Sequence, residues 1–220
     1  MIWVVLAVSY LFGSIPSGYL LVRLFAGKDV REVGSGRTGG TNVMRAAGFG
    51  AGLLTAVFDG FKAAGSVWLA QSLLPADIRP LGMALAGLAA ILGHNYSIFL
   101  KFKGGAGGAS CVGGGVGLWP WSALVVIPIG GLVLFGVGYA SLATLSVSIT
   151  LTALFAYRFY THAPNAEAEF ILYGVGSLIL LGWALRPNIR RLLRGEERLV
   201  GWRAKRLKQA QAGDGPANGQ

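Results

Sequence analysis

The sequence contains little charge, few acids and almost no cysteine. Charged residues make up 13% of its 220 residues, whereas about a quarter of an ordinary soluble domain is charged. Only nine acids stand against 19 Lys and Arg, for a net charge of +10, yet no aromatic-rich basic face of the kind that binds nucleic acid stands out. The single cysteine, Cys111, excludes an internal disulfide. These features argue against a soluble domain, a nucleic-acid-binding protein and a disulfide-stabilised scaffold.

Long apolar runs recur from end to end. A membrane-spanning helix needs about 20 apolar residues, and six stretches qualify: 2–24, 50–74, 81–100, 121–138, 140–158 and 169–185. The Gly-rich stretch 108–118 is apolar but too short to cross the bilayer as a regular helix. We therefore predict an all-α integral membrane protein with a single transmembrane domain over 1–208 and a disordered polar tail over 209–220.

The basic residues indicate an orientation. They gather in the first loop, at Lys101 and Lys103, and from Arg186 onward, and cytoplasmic loops are enriched in Lys and Arg. If all three basic segments are cytoplasmic, the N-terminus is outside. About seven crossings then result, provided that 108–118 is a short or broken span. The pattern after Pro187 predicts an amphipathic interfacial helix over 187–208, with Pro187 in its first turn.

The first basic segment, GSGRTGGTNVMR, covers residues 34–45. Its glycines allow backbone N–H groups to form an anion-binding nest, and Ser35, Thr41 and Asn42 add neutral polar groups. Arg45 adds a planar fork that suits phosphate. The alternative is a flexible linker between two helices, because Gly-rich loops are common.

The other two basic segments offer similar chemistry. In the second, Lys103 precedes Gly104 and Gly105, and the next residues could begin a helix whose N-terminus attracts anions; close packing of small residues is the alternative. His94 lies shortly before this segment, where a structural hydrogen-bonding role is the more common one. In the third, Asn188 lies among four arginines, for which anchoring to lipid headgroups is the alternative.

Two opposite charges lie inside the second apolar run. Asp59 and Lys62 are three residues apart, so they share one helix face. A charged residue at the centre of a membrane helix costs about 2.5–3.5 kcal/mol on insertion scales, and pairing lowers that cost. We interpret the pair as supporting a functional site, with a purely structural pair as the alternative.

Five motifs together resemble one family. They are GSIPSGYLL (13–21), GSGRTGGTNVMRAAG (34–48), DGFKAA (59–64), HNYSIFLKFKGGAGGAS (94–110) and RPNIRRLLRGEE (186–197). In this order they resemble the bacterial acyl-phosphate:glycerol-3-phosphate acyltransferases, the PlsY family. The resemblance implies a seven-span enzyme of phospholipid synthesis in the bacterial inner membrane, with its active site at the cytoplasmic face.

The resemblance also implies a reaction and a set of site residues. A fatty acyl group would pass from acyl-phosphate to the 1-hydroxyl of glycerol 3-phosphate, giving lysophosphatidic acid, with no metal or cofactor and a functional link to an enzyme that produces acyl-phosphate. The implied catalytic residues are Ser35, Arg45, His94 and Asn188. The implied substrate-binding residues are Gly36, Arg37, Thr41, Asn42, Lys103, Gly104 and Gly105. The implied supporting residues are Asp59, Lys62 and Glu196.

The chain departs from the family pattern in and around the site. Ala106 and Leu185 stand where the pattern has a Lys and a His, which removes two polar groups expected at the acceptor phosphate. Arg37 stands where the pattern has Asn. Our hypothesis is that Arg37 partly replaces the missing charge. Two alternatives remain: a degenerate member that binds acyl-phosphate or phospholipid without turnover or acylates another acceptor, and a small transporter built around Asp59 and Lys62.

Overall fold

The computed structural model describes residues 1–204 and 206. Within these residues the chain is helical, apart from one antiparallel bridge between Tyr139 and Leu199. The α-helices are α1 (Ile2–Ser14), α2 (Ser17–Ala26), α3 (Gly40–Ala47), α4 (Phe49–Leu73), α5 (Arg79–Asn95), α6 (Gly108–Leu118), α7 (Ala123–Leu132), α8 (Ala140–Tyr160) and α9 (Ala168–Leu193). A π-helical turn, Val133–Val137, extends α7. The tail predicted over 209–220 lies outside the described residues.

The predicted all-helical membrane fold is confirmed. Six helical stretches of the described chain are long and apolar enough to cross a membrane: Ile2–Ala26, Phe49–Leu73, Arg79–Leu100, Pro120–Val137, Ala140–Tyr160 and Ala168–Leu193. The seventh apolar helix, α6, has 11 residues. At about 1.5 Å per residue it is roughly 16 Å long, well short of the roughly 30 Å hydrocarbon core, as its sequence length predicts.

The first span is broken, which the sequence did not predict. Pro16 separates α1 from α2, because proline has no N–H for the helical hydrogen bond and restricts the residue before it. The break leaves backbone carbonyls free for side chains. Ile15 O accepts a hydrogen bond from Lys62 Nζ at 2.8 Å, and Ser14 O accepts one from Ser97 Oγ at 2.5 Å. The break therefore supplies polar partners inside an apolar bundle.

The last helix passes through Pro187 and ends at Leu193, so the predicted interfacial helix beginning at Pro187 was wrong in its boundaries. Leu181, Ala184 and Leu185 are buried against the core, and this packing continues the helix past a residue that would otherwise begin a new one. Membrane helices tolerate proline where neighbouring groups satisfy the freed backbone.

After α9, residues 195–204 form a segment that we call the C-terminal strap. Val200 N donates to Gly138 O at 2.8 Å, beside the bridge between Tyr139 and Leu199. Trp202 Nε1 donates to Phe135 O at 2.8 Å. The strap is thereby held against the π-helical end of α7 and the start of α8.

Small residues allow the helices to approach closely. A Cβ atom on Gly13 would overlap the carbonyl oxygen of Ala90, and one on Gly113 would overlap that of Gly60; membrane helices commonly pack through such residues. Tyr173 is fully buried, and its hydroxyl donates to Cys111 O at 2.7 Å. The Gly113–Gly60 and Tyr173–Cys111 contacts hold α6 against α4 and α9 and so position its N-terminus.

Candidate active site

A cavity of about 340 Å³ lies where the three basic segments meet. From the first half of the chain, its walls include residues of the first loop, of α3 and of the C-terminal end of α5. From the second half, they include the N-terminus of α6, the junction of α7 and α8, the end of α9 and the C-terminal strap. The predicted site residues that line it are Ser35, Arg37, Thr41, Asn42, Arg45, Asp59, His94 and Asn188. Segments far apart in the sequence thus form one site.

Asn42 organises the first loop. Its Nδ2 donates to the carbonyl oxygens of Val30, Val33 and Arg37 at 3.0, 2.8 and 2.8 Å, and its Oδ1 accepts from Ser35 N at 3.1 Å. The amide is buried and its hydrogen-bonding capacity is used within the loop. These hydrogen bonds hold the loop in shape, and because Asn42 also lines the cavity, its contact with substrate stays a prediction.

Two helix N-termini face the cavity. Gly40 and Thr41 begin α3, and Gly108 and Ala109 begin α6. Their N–H groups make no hydrogen bond within the described part of the chain, as expected for a first helical turn. Such N–H groups, together with the positive end of the helix dipole, form an anion site. Gly36 lies outside the cavity lining, and its N–H donates to Val33 O at 3.0 Å.

Arg45 reaches the cavity from α3 and makes no hydrogen bond or ion pair with any other described residue. Its stem packs on Gly34, where a Cβ atom would lie 3.4 Å from Arg45 Cδ. The surrounding protein desolvates the guanidinium and lowers its pKa, and the charge of Arg198 lowers the pKa further. Because arginine stays charged in proteins, this group is a cation that lacks a counter-ion within the described part of its own chain.

Arg37 is half-buried beside the two positions that lack the family's polar residues. Its Nη1 donates to Gly105 O at 3.0 Å, and its Nη2 donates to Ala184 O. Those carbonyls immediately precede Ala106 and Leu185, and all three side chains line the same cavity. Burial lowers the pKa of the Arg37 guanidinium. The structure thus places Arg37 next to Ala106 and Leu185, the two positions whose missing charge Arg37 is hypothesised to replace.

The charged pair in α4 is present and forms part of a larger cluster. Lys62 Nζ lies 2.9 Å from Asp59 Oδ1, and His94 Nδ1 lies 3.4 Å from the same oxygen. All three side chains are buried, and Asp59 and His94 contribute to the cavity wall. Sequence reasoning predicted the Asp59–Lys62 pair but missed the contact with His94, which depends on how α4 packs on α5.

The second basic segment lines the cavity through Ala106, Gly107, Gly108 and Ala109, whereas the predicted ligands Lys103, Gly104 and Gly105 lie outside the lining. Gly104 N donates to Asn95 O at 3.1 Å and Gly105 N donates to His94 O at 3.0 Å, so these N–H groups are not free for a phosphate. A Cβ atom on Gly105 would overlap His94 Nε2, so glycine is required for the close approach to the imidazole. Lys103 is exposed and lies outside the cavity lining.

In the third segment, Glu197 and not Glu196 makes the bracing contacts. Ser141 Oγ donates to Glu197 Oε2 at 2.6 Å, and Asn188 Nδ2 donates to Glu197 Oε1 at 3.1 Å. Glu197 is buried, whereas Glu196 is exposed. Which of the two glutamates makes these contacts depends on which side of the strap faces α8 and α9. Asn188 Oδ1 has no hydrogen-bond partner among the described residues.

Two further arginines line the cavity, and sequence reasoning missed both. Arg191 is one of the four arginines around Asn188 for which lipid anchoring was the alternative, and Arg198 was not singled out; both line the cavity. A signal was available for Arg191, which lies three residues after Asn188 and so shares its helix face. No such signal existed for Arg198, because its position depends on how the strap folds.

Part of the cavity wall is apolar. It consists of Met44, Phe49, Leu53, Ala56, Leu134 and Phe135. Phe49, Leu53 and Phe135 are also exposed at the outer surface of the helices, and this surface faces lipid in a membrane protein. The cavity lining therefore combines cationic residues with apolar residues, some of which are also exposed on the outer surface of the helices.

An all-helical membrane bundle with such a cavity defines a class: integral membrane proteins that bind a phosphate-bearing substrate next to a lipid chain. Comparison with known proteins gives the family. The sequence model of the family described as glycerol-3-phosphate acyltransferase matches residues 3–195. The chain belongs to this glycerol-3-phosphate acyltransferase family.

Individual relatives are similar over nearly their whole length. A glycerol-3-phosphate acyltransferase from a strain of Thermus thermophilus is 39% identical, with 93% of this chain and 97% of the relative covered. One from Anaeromyxobacter dehalogenans is 42% identical, with 90% and 96% covered. A crystal structure of PlsY (YgiH), an integral membrane glycerol 3-phosphate acyltransferase in its glycerol 3-phosphate form, matches with a TM-score of 0.77 and 31% identity. The match covers 91% of this chain and 96% of that one.

Proposed function

We propose that this protein transfers a fatty acyl group from acyl-phosphate to the 1-hydroxyl of glycerol 3-phosphate, forming lysophosphatidic acid and inorganic phosphate. We place the reaction at the cytoplasmic face of the bacterial inner membrane, where an enzyme that produces acyl-phosphate supplies the donor. The observation that carries the proposal is the cavity itself, whose lining combines four arginines and two helix N-termini with apolar side chains. The family membership and the glycerol 3-phosphate form of the related PlsY support it.

The polar side of the cavity provides for two phosphates. We assign the glycerol phosphate to Ser35 and Arg45, whose guanidinium lacks a partner in the described chain. We assign the acyl-phosphate to the first-turn N–H groups of α3 and α6 and to Asn188. Backbone N–H groups and arginine forks are the usual donors to phosphate oxygens. In this assignment each of the two phosphates therefore receives hydrogen bonds from one of these kinds of donor.

The reaction then needs positioning more than it needs a reactive side chain. The 1-hydroxyl oxygen attacks the carbonyl carbon of acyl-phosphate, the bond from that carbon to the phosphate oxygen breaks, and the hydroxyl proton passes to a phosphate oxygen. Because acyl-phosphate is already activated, no covalent enzyme intermediate is required. The arginines and helix N-termini hold the reactants and neutralise their charge, while Asp59 orients His94 in the wall.

The apolar wall suits the acyl chain. Phe49, Leu53 and Phe135 connect the cavity with the lipid-facing surface, so the chain of the donor can remain largely in the bilayer while its phosphate enters the site. Such an arrangement avoids exposing the chain to water, which would cost about 0.8 kcal/mol per CH₂ group.

Donor discrimination tests the proposal. The purified protein in lipid nanodiscs is given radiolabelled glycerol 3-phosphate with either acyl-phosphate or the corresponding acyl thioester of coenzyme A. We expect labelled lysophosphatidic acid with acyl-phosphate only. Transfer from the thioester and not from acyl-phosphate would refute acyl-phosphate as the donor. Transfer from neither compound would favour a degenerate member of the family.

A further inference from the structure

The end of the C-terminal strap that is nearest the first loop carries a second arginine close to Arg45. Arg198 lines the cavity, and its Nη1 donates to the carbonyl oxygen of Gly34. Gly34 is also the residue on which the stem of Arg45 packs. The guanidinium of Arg198 and the stem of Arg45 therefore contact the same residue of the loop, which brings the two arginines close together.

No acid of the described chain forms a salt bridge with either guanidinium. Glu197, the neighbouring acid, directs its two oxygens to Ser141 and Asn188. Like charges held close together repel each other, which is consistent with the lowering of the Arg45 pKa by Arg198. Glu197 lies near enough to Arg45 to offset part of this repulsion, but two neighbouring cations without a salt-bridge partner in the described chain form a site for an external anion of high charge.

We propose that Arg198 binds the phosphate of glycerol 3-phosphate together with Arg45 and so sets the affinity for the acceptor. This inference rests on the proposed function and adds a residue to its acceptor subsite. A phosphate monoester carries a charge of about −1.5 to −2 near neutral pH, which two guanidinium groups neutralise. Arginine has five N–H donors, so the contact with Gly34 leaves others available.

Arg198 lies just beyond residues 3–195, which the family model matches. The strap nevertheless holds a fixed position, because Val200 N donates to Gly138 O and Trp202 Nε1 donates to Phe135 O. Ala106 and Leu185 offer no charge in the same cavity, and an arginine from the strap adds one.

Kinetics of Arg198→Gln and Arg198→Lys separate a phosphate ligand from a structural brace. Glutamine can still donate a hydrogen bond to Gly34 O but carries no charge. We expect Arg198→Gln to raise the KM for glycerol 3-phosphate about tenfold, near the lower end of the cost of losing a charged hydrogen bond, with the KM for acyl-phosphate changed less than about twofold. The KM of Arg198→Lys for glycerol 3-phosphate should lie between those of the wild type and Arg198→Gln. The matched control is Arg194→Gln, because Arg194 is an exposed arginine at the end of α9, four residues before Arg198, and lies outside the cavity.

A second readout does not depend on turnover. Glycerol 3-phosphate should raise the unfolding temperature of the wild type and of Arg194→Gln, and raise that of Arg198→Gln clearly less. Wild-type KM values and an unchanged thermal shift in Arg198→Gln would overturn the inference and leave the proposed function intact. An increase confined to the KM for acyl-phosphate would also overturn it. A wild type that is neither active with glycerol 3-phosphate nor stabilised by it would refute the proposed function itself.

Discussion

Replacing Arg45 with alanine should impair catalysis without impairing folding. Arg45 makes no hydrogen bond or ion pair with the rest of the described chain, and it lies close enough to Arg198 for the two charges to affect each other. Removing it breaks no internal polar contact and relieves a like-charge repulsion. We therefore expect the unfolding temperature of Arg45→Ala to equal or slightly exceed that of the wild type.

The catalytic effect follows from the lost phosphate contact. A hydrogen bond to a charged group contributes about 1.5–3 kcal/mol, which corresponds to a fall of roughly 10- to 150-fold in kcat/KM for glycerol 3-phosphate. Arg45→Lys should recover part of the activity, because an ammonium keeps the charge but not the planar fork.

The assay is steady-state kinetics in nanodiscs, with each substrate varied in turn. Lys28→Ala is the control, because Lys28 is an exposed basic residue of the same loop that lies outside the cavity. Wild-type kcat/KM in a correctly folded Arg45→Ala protein would refute the reasoning and favour the linker interpretation of the loop.

Further predictions concern the other charged residues and the topology. Ala106→Lys should lower the KM for glycerol 3-phosphate, and Arg37→Asn should raise it, in steady-state kinetics; unchanged values in both would exclude compensation by Arg37. Asp59→Asn should lower the free energy of unfolding by about 3–5 kcal/mol, because it leaves the buried ammonium of Lys62 without its carboxylate, and an unshifted thermal unfolding curve would contradict this. Cysteines introduced into 34–45 should react with impermeant reagents from the cytoplasmic side. Labelling only from the periplasm would show that the topology is the inverse of the predicted one.

The helices of this fold are largely predictable from the sequence. Six long apolar runs and one short run appear in the structure within a few residues of their predicted ends, except that the last helix ends eight residues later than predicted, because hydropathy and bilayer thickness constrain them. The continuation of α9 through Pro187 was not predictable in this way. It depends on burial of Leu181 and Leu185 against other helices. The local conformational preference of proline, from which the helix start was predicted, contains no information about that burial.

The segments of the site were predictable, whereas the use of individual atoms was not. Basic, Gly-rich segments indicated a phosphate site, and the structure brings all three to one cavity. Asn42 and Gly104 nevertheless direct their polar groups to partners inside the protein, and Glu197 takes the place predicted for Glu196. Such distinctions arise from tertiary hydrogen bonds that residue type and spacing do not reveal.

The most direct test of the account is the stoichiometry of the reaction. Purified protein receives acyl-phosphate and glycerol 3-phosphate, and lysophosphatidic acid and inorganic phosphate are measured in the same samples over time. We predict that both products appear in a ratio of about one to one, as direct transfer between two bound substrates requires, and that phosphate release nearly stops when the acceptor is omitted. Phosphate release without lysophosphatidic acid, or the absence of both products, would contradict the assignment of this cavity to acyl transfer.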